Sequence, residues 1–230
     1  MKLKTTLITT LVAITIGTTA LHTASAAGNG YYNNANAALS STEVEVMLFM
    51  REEEKLARDV YDTLYKQWQL PIFNNISAAE QKHTDRIKSL LQTYGITDPL
   101  TDDTTGVFIT PELDNLYQQL LVKGQVSRMD ALQVGALVEE TDIMDLQQAV
   151  ANSTQANVTN VYNNLMRASR NHLRAFVGQI QHQGVGYVAQ VMPQTEVDAI
   201  INSPRERGNG AGQGRGQGGQ GKGQGRGMNQ

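Results

Sequence analysis

The chain has 230 residues, no cysteine, and 19 basic against 22 acidic side chains, a net charge of −3 with the histidines neutral. That length fits one domain with appendages, and the missing cysteines exclude disulfides, thiol catalysis and zinc–cysteine sites. The near-neutral balance conceals an acidic body, net −9 over residues 27–204, and a basic tail, net +4 over residues 205–230.

Residues 1–26 read as a signal peptide. Lys2 and Lys4 precede an apolar run from Leu7 to Leu21, and Ala24-Ser25-Ala26 offers a small-residue cleavage site. The run falls short of the roughly 20 apolar residues a bilayer span needs, and nothing later is apolar enough. The expectation is an exported protein, secreted, periplasmic or at the cell surface, with no transmembrane segment in the mature chain. Residues 27–40 read as a linker, and residues 41–203 as the folded domain.

Ser40-Ser41-Thr42-Glu43 is a capping-box signal; it opens a first long helix running to about Leu70, before Pro71. Asn74 or Asn75 caps a second helix ending near Tyr94-Gly95. A long polar connection follows, with a short helix from Pro111 to about Val122 inside it. A third long helix starts at Ser127-Arg128 and runs to about Val150, and a fourth spans about Val158 to Gln183, closed by Gly184. A shorter helix follows Pro193. Residues 204–230 are almost entirely Gly, Gln, Arg and Lys, cannot bury apolar area, and read as a disordered tail.

The expected fold is all-α. Two short connections flanking one long one suit a ferritin-like four-helix bundle with one long crossover and short extra helices; the alternative is an irregular all-α domain. Arg-Gly repeats can contact nucleic acid, but the tail has no aromatic residue for stacking. Contact with a surface or matrix is the better expectation for it.

Stepping by three and four residues along each long helix gives an apolar stripe interrupted by a charge. The first helix reads Met47, Met50, Glu54, Ala57, Tyr61, Leu64; its neighbouring stripe is apolar around Glu53; and Glu52 shares a polar stripe with Glu45, Lys55 and Asp59, so it is expected in water. The second helix places Glu80 and His83 one turn apart between Ile76 and Ile87. The third is apolar around Glu139 and the fourth around His172. An unpaired buried carboxylate costs several kcal/mol, and converging carboxylates repel. A divalent cation offsets both, and mixed His/carboxylate donors suit iron, manganese or zinc better than calcium.

Dinuclear bundle sites take one Glu from each of two helices and Glu-x-x-His from each of the other two. Glu54, Glu80-x-x-His83, Glu139 and His172 follow that order, except that Ser169 stands three residues before His172 where a glutamate is expected. Asp142 or Glu53 could supply the substitute oxygen, and Glu140 could replace Glu139. Readings without metal stand beside this one. Glu80 could be a capping partner of Ser77, either histidine a hydrogen-bonded core residue, and Arg58, Arg170 or Arg174 the neutralising cation.

The motif Glu54-x-x-Ala57-Arg58-x-x-Tyr61 resembles the first helix of rubrerythrins. The blocks EEEKLARDVY, AEQKH, LVEETDIMDL and SRNHLRAF are similar to a ferritin-like family, Domain of Unknown Function 2202, over residues 42–200. The resemblance implies metal-ligand positions at Glu54, Glu80, His83, Glu139 and His172. The expected function is an exported protein that binds iron or manganese, in a mononuclear or dinuclear centre, with oxidative or peroxide-linked chemistry. The alternative is a non-enzymatic exported bundle with a vestigial site and an adhesive tail. Homodimerisation fits the implied fold.

Overall fold

The computed structural model describes residues 38–208. The signal peptide, all but the last residues of the linker, and the tail from residue 209 onward lie outside the described residues. The described chain folds into six helices, with no strand among the described residues: α1 Ser41–Trp68, α2 Pro71–Thr93, α3 Pro111–Gly124, α4 Arg128–Asn152, α5 Ala156–His182 and α6 Gln194–Ile201. No helix among the described residues is long and apolar enough to cross a membrane.

Local chemistry sets the helix ends. Ser40 and Glu43 form the expected capping box, and Glu43 also accepts from the Thr154 N–H at 2.7 Å, tying the start of α1 to the α4–α5 turn. Ser127 caps α4 through the Asp130 N–H. The second helix begins three or four residues earlier than Asn74 or Asn75. Pro71 takes its first position, where a missing N–H leaves no intrahelical bond unmade. Gln69 turns the chain between α1 and α2 in the left-handed region at φ 53°, with its side chain bonded to the Tyr65 and Lys66 carbonyls.

Cross-helix contacts fix the directions. Residues 51, 54 and 58 of α1 meet 84, 83 and 81 of α2, so the two run antiparallel. On α4 and α5, Asp142 meets Ser169 while Gly135 lies against Phe176, again antiparallel. Glu43 reaches Thr154 whereas Tyr61 reaches Glu139, so α1 opposes α4. Helices α2 and α4 therefore run the same way, and the chain between them must travel back along the bundle. Residues 94–127, including α3, make that crossover.

The apolar core comes in two pieces. One holds Tyr61, Phe73, Leu132, Phe176 and their neighbours; the other holds Met47, Ile87, Leu146, Leu165 and theirs. Between them, at mid-height of all four long helices, lies a layer of charged side chains. Apolar layers above and below remove that layer from water, so each charge in it needs a partner.

The crossover changes the reading of α1. Glu52 is 5% exposed rather than solvated. Its carboxylate accepts the Ile109 and Thr110 N–H groups and the Thr110 hydroxyl, at the N-terminus of α3. Lys55, fully buried, pairs with Asp59 at 2.5 Å and donates to the Thr104 and Val107 carbonyls. The polar stripe faces residues 103–110, which bring their own hydrogen-bonding groups. At the other end, Glu206 is held by Arg170 and Arg174 on α5, so the packed domain continues past residue 203.

Candidate metal centre

Helix periodicity delivers five of the expected ligands to one place. Glu54 and Glu80 are 1% and 2% exposed, Glu139 is 2%, and His83 is 9%. His83 Nδ1 lies 2.6 Å from Glu80 Oε2 and 3.1 Å from Glu54 Oε2. His172 Nδ1 lies 2.9 Å from Glu80 Oε1 and 3.4 Å from Glu139 Oε2. The two imidazoles stack with centroids 5.8 Å apart. Glu54, Glu80 and His83 form one three-donor group and Glu80, Glu139 and His172 another, with donor atoms within 4.8 Å of one another in each. Glu80 belongs to both.

Several donor atoms make no hydrogen bond of good geometry. Glu54 Oε1, Glu80 Oε1 and His172 Nδ1 are buried without a hydrogen bond. The last two lie 2.9 Å apart yet are misaligned, so proximity does not satisfy them. Buried polar atoms in proteins are paired almost without exception, and a mixed carboxylate–imidazole set of this kind could hold a first-row transition metal.

Electrostatics report the same crowding. Burial pushes the Glu54 carboxyl up to about 7, against the opposing pull of His83. Burial also raises Glu139, with His172 pulling the other way. Burial alone would raise Glu80 too, but His83 and His172 hold it well below the usual carboxylate range. Burial would lower His172, but Glu139 and Glu80 overcome it and push the ring up to about 10. His83 is likewise held well above its ordinary value by Glu80 and Glu54, against burial.

The remaining candidates fall into three positions. Glu140, fully buried, turns away from the centre: it accepts the Gln190, Val191 and Met192 N–H groups, at 2.8–3.1 Å, and the Tyr187 hydroxyl. It anchors residues 187–192 and does not substitute for Glu139. Glu53 is buried, its carboxyl raised by burial and then by Asp145 and Asp142. Asp142 lies against Ser169, whose hydroxyl donates to Asp142 Oδ2.

Two of the readings without metal find other partners. Helix α2 starts well before Ser77, and the Ser77 hydroxyl donates to Asp62, so Glu80 is no capping partner. Arg58 serves Asp59 and Asp103, and Arg170 and Arg174 serve Glu206; none of these guanidiniums neutralises the central carboxylates. The inner stripe of α5 passes through Tyr162, Leu165 and the fully buried Ser169, leaving His172 at its edge with 13% of its side chain exposed.

Tyr61 has a closer role than its periodicity implied. Its hydroxyl donates to Glu139 Oε1 at 2.6 Å, which orients Oε2 toward His172. The ring is fixed against Phe73 and Phe176. The Tyr61 contact and the anchoring of Glu140 by Tyr187 had no local signal beyond the presence of an aromatic hydroxyl.

All but the first residues of the packed helices fall within the span over which known proteins match this chain. Uncharacterized protein MJ0754 of Methanocaldococcus jannaschii is 47% identical over 170 residues, spanning 74% of this chain and 92% of that protein. The crystal structure of MJ0754 matches with a TM-score of 0.73 at 46% identity, over 74% of this chain and 98% of that one. The family described as uncharacterized protein domain DUF2202 covers residues 43–204, a span that contains all six helices but for the first residues of α1, together with every residue of the charged layer. The chain belongs to the DUF2202 family.

Proposed function

We propose that this protein is a ferritin-like four-helix bundle that binds iron or manganese through Glu54, Glu80, His83, Glu139 and His172. The observation that carries the reading is the pair of buried three-donor groups sharing Glu80, with donor atoms that no protein group satisfies. Bound iron or manganese would supply one-electron redox chemistry toward oxygen or peroxide.

The chain's own part is positional. Tyr61 orients Glu139, the two apolar layers exclude bulk water, and the histidines leave the α2–α5 seam as the route in, with 11% and 13% of their side chains exposed. The distant likeness of the first helix to rubrerythrins belongs to this proposal, as does export directed by residues 1–26. A second reading, a structural polar core with a vestigial site, draws on the contacts both imidazoles already make to carboxylates.

Elemental analysis of protein purified without chelators separates the two. Bound iron or manganese, lost in Glu54→Ala and His83→Ala, is the expected result. No transition metal, together with melting unchanged by added Fe2+ or Mn2+, would leave the structural reading.

A further inference from the structure

We propose that Asp142 is a sixth ligand of this centre, so that the carboxylate missing from α5 at Ser169 is supplied from α4 and the site holds two divalent ions. The inference rests on the metal-binding reading above and goes beyond it in naming the ligand and the nuclearity.

Asp142 follows Glu139 by three residues, so the two side chains project from the same face of α4, one turn apart. It is 6% exposed. Its Oδ2 receives the Ser169 hydroxyl, and its Oδ1 is buried with no hydrogen-bond partner. Ser169 thus occupies the expected carboxylate position on α5 but acts as a donor that aims a carboxylate arriving from the facing helix. The Ser169–Asp142 contact lies three residues along α4 from Glu139 and three along α5 from His172, so Asp142 sits one helical turn from the Glu139–His172 contact of the second three-donor group. Glu53 is the competing substitute. Its Oε2 is likewise buried without a hydrogen bond, but the Ser169 hydroxyl is paired with Asp142, and the first charged neighbour of Glu53 is the partly buried Asp145.

Charge balance selects the nuclearity. With Asp142 the centre has four carboxylates and two neutral imidazoles, a formal −4 that two divalent cations cancel. One divalent cation would leave a buried −2, which the low-dielectric layer between the two cores penalises heavily. The α4 pair Glu139-x-x-Asp142 then mirrors the α2 pair Glu80-x-x-His83, with Glu54 and His172 completing the set from α1 and α5.

The full chain, stripped by chelation and titrated with Mn2+, tests this. Wild type should bind two ions per chain and show an exchange-coupled Mn–Mn signal in electron paramagnetic resonance. Asp142→Asn should weaken the second ion by roughly 10–100-fold and replace the coupled signal by that of an isolated ion. Ser169→Ala, which removes the aiming hydroxyl together with its 3.0 Å contact to the Leu165 carbonyl, should weaken it roughly tenfold. Asp145→Asn should match wild type. If Asp142→Asn does not fold by circular dichroism, Ser169→Ala carries the test, and unchanged affinity there overturns the inference. Two ions bound by Asp142→Asn at wild-type affinity overturns it as well. One ion in both wild type and variant does the same but leaves the metal-binding reading standing. Wild type that binds no Mn2+ overturns both.

Discussion

Glu54→Gln should stabilise the metal-free protein at pH 8 and abolish the stabilisation that metal confers. Glu54 is 1% exposed, and burial holds its proton to about 7 instead of the ordinary 4.5. An unfolded chain releases that proton near 4.5, so the folded state binds more protons across the interval and loses stability as pH climbs through it. At about 1.4 kcal/mol per pH unit, the ionised carboxylate costs the fold about 3 kcal/mol above pH 7. Glutamine removes the charge but weakens the 3.1 Å contact to His83 Nδ1, worth about 1–2 kcal/mol. The net gain of about 1–2 kcal/mol corresponds to a rise in Tm of roughly 2–8 °C for a domain of this size. Thermal melts of chelator-stripped protein at pH 8 should show it, and the gain should vanish at pH 4.5, where the wild-type side chain is protonated in the folded state. Added Mn2+ should raise the Tm of wild type and leave the variant unmoved. A variant less stable than wild type at pH 8, or a gain equal at both pH values, would refute the assignment of Glu54 as a strained, metal-seeking carboxylate.

Four further outcomes follow from the same geometry. The raised His172, at about 10 against an ordinary 6.5, contributes stability that is complete below pH 6.5 and lost as pH rises through 10, so metal-free protein should melt progressively lower over that range. Metal must displace the same proton, so the Tm increment from Mn2+ should grow between pH 6.5 and 8.5; a flat increment contradicts the ligand role. Glu140→Gln should cost about 2–4 kcal/mol in urea unfolding through its lost charge-assisted bonds to residues 187–192, with Mn2+ stoichiometry unchanged. In Gly135→Ala the new Cβ would fall 2.4 Å from Phe176 Cε1. That ring is wedged against Tyr61 and Phe73, so overpacking of about 1–3 kcal/mol should exceed the roughly 1 kcal/mol gained in helix propensity; an unchanged Tm would show that the ring yields.

The helical character of the fold and the burial of the charges on the inner stripes were legible before any coordinates. A charge interrupting an apolar stripe, as at Glu54 between Met50 and Ala57 or Glu80 between Ile76 and Ile87, can be seen from spacing alone, because 3.6-residue periodicity assigns a face to each residue of one helix. The capping signals at Ser40 and Ser127 were legible for the same local reason. The start of α2 was missed because Asn74 and Asn75 are good caps in isolation, while Pro71 at the first helical position outcompetes them.

Partners far along the chain decided everything else. The stripe of Glu52, Lys55 and Asp59 has the composition of a solvated face, and only the path of residues 103–110 across it turns those charges into buried, paired ones. Glu139 and Glu140 are both buried and differ by about 100° around one helix; the first meets Tyr61 and His172 while the second meets the chain at residues 187–192. Ser169 departs from the ligand pattern in the sequence, and only the packing of α5 on α4 shows that its hydroxyl meets Asp142. Periodicity belongs to one helix and can state that a charge is buried. What neutralises that charge depends on which distant segment the fold lays against it, and that belongs to the packing of the whole chain.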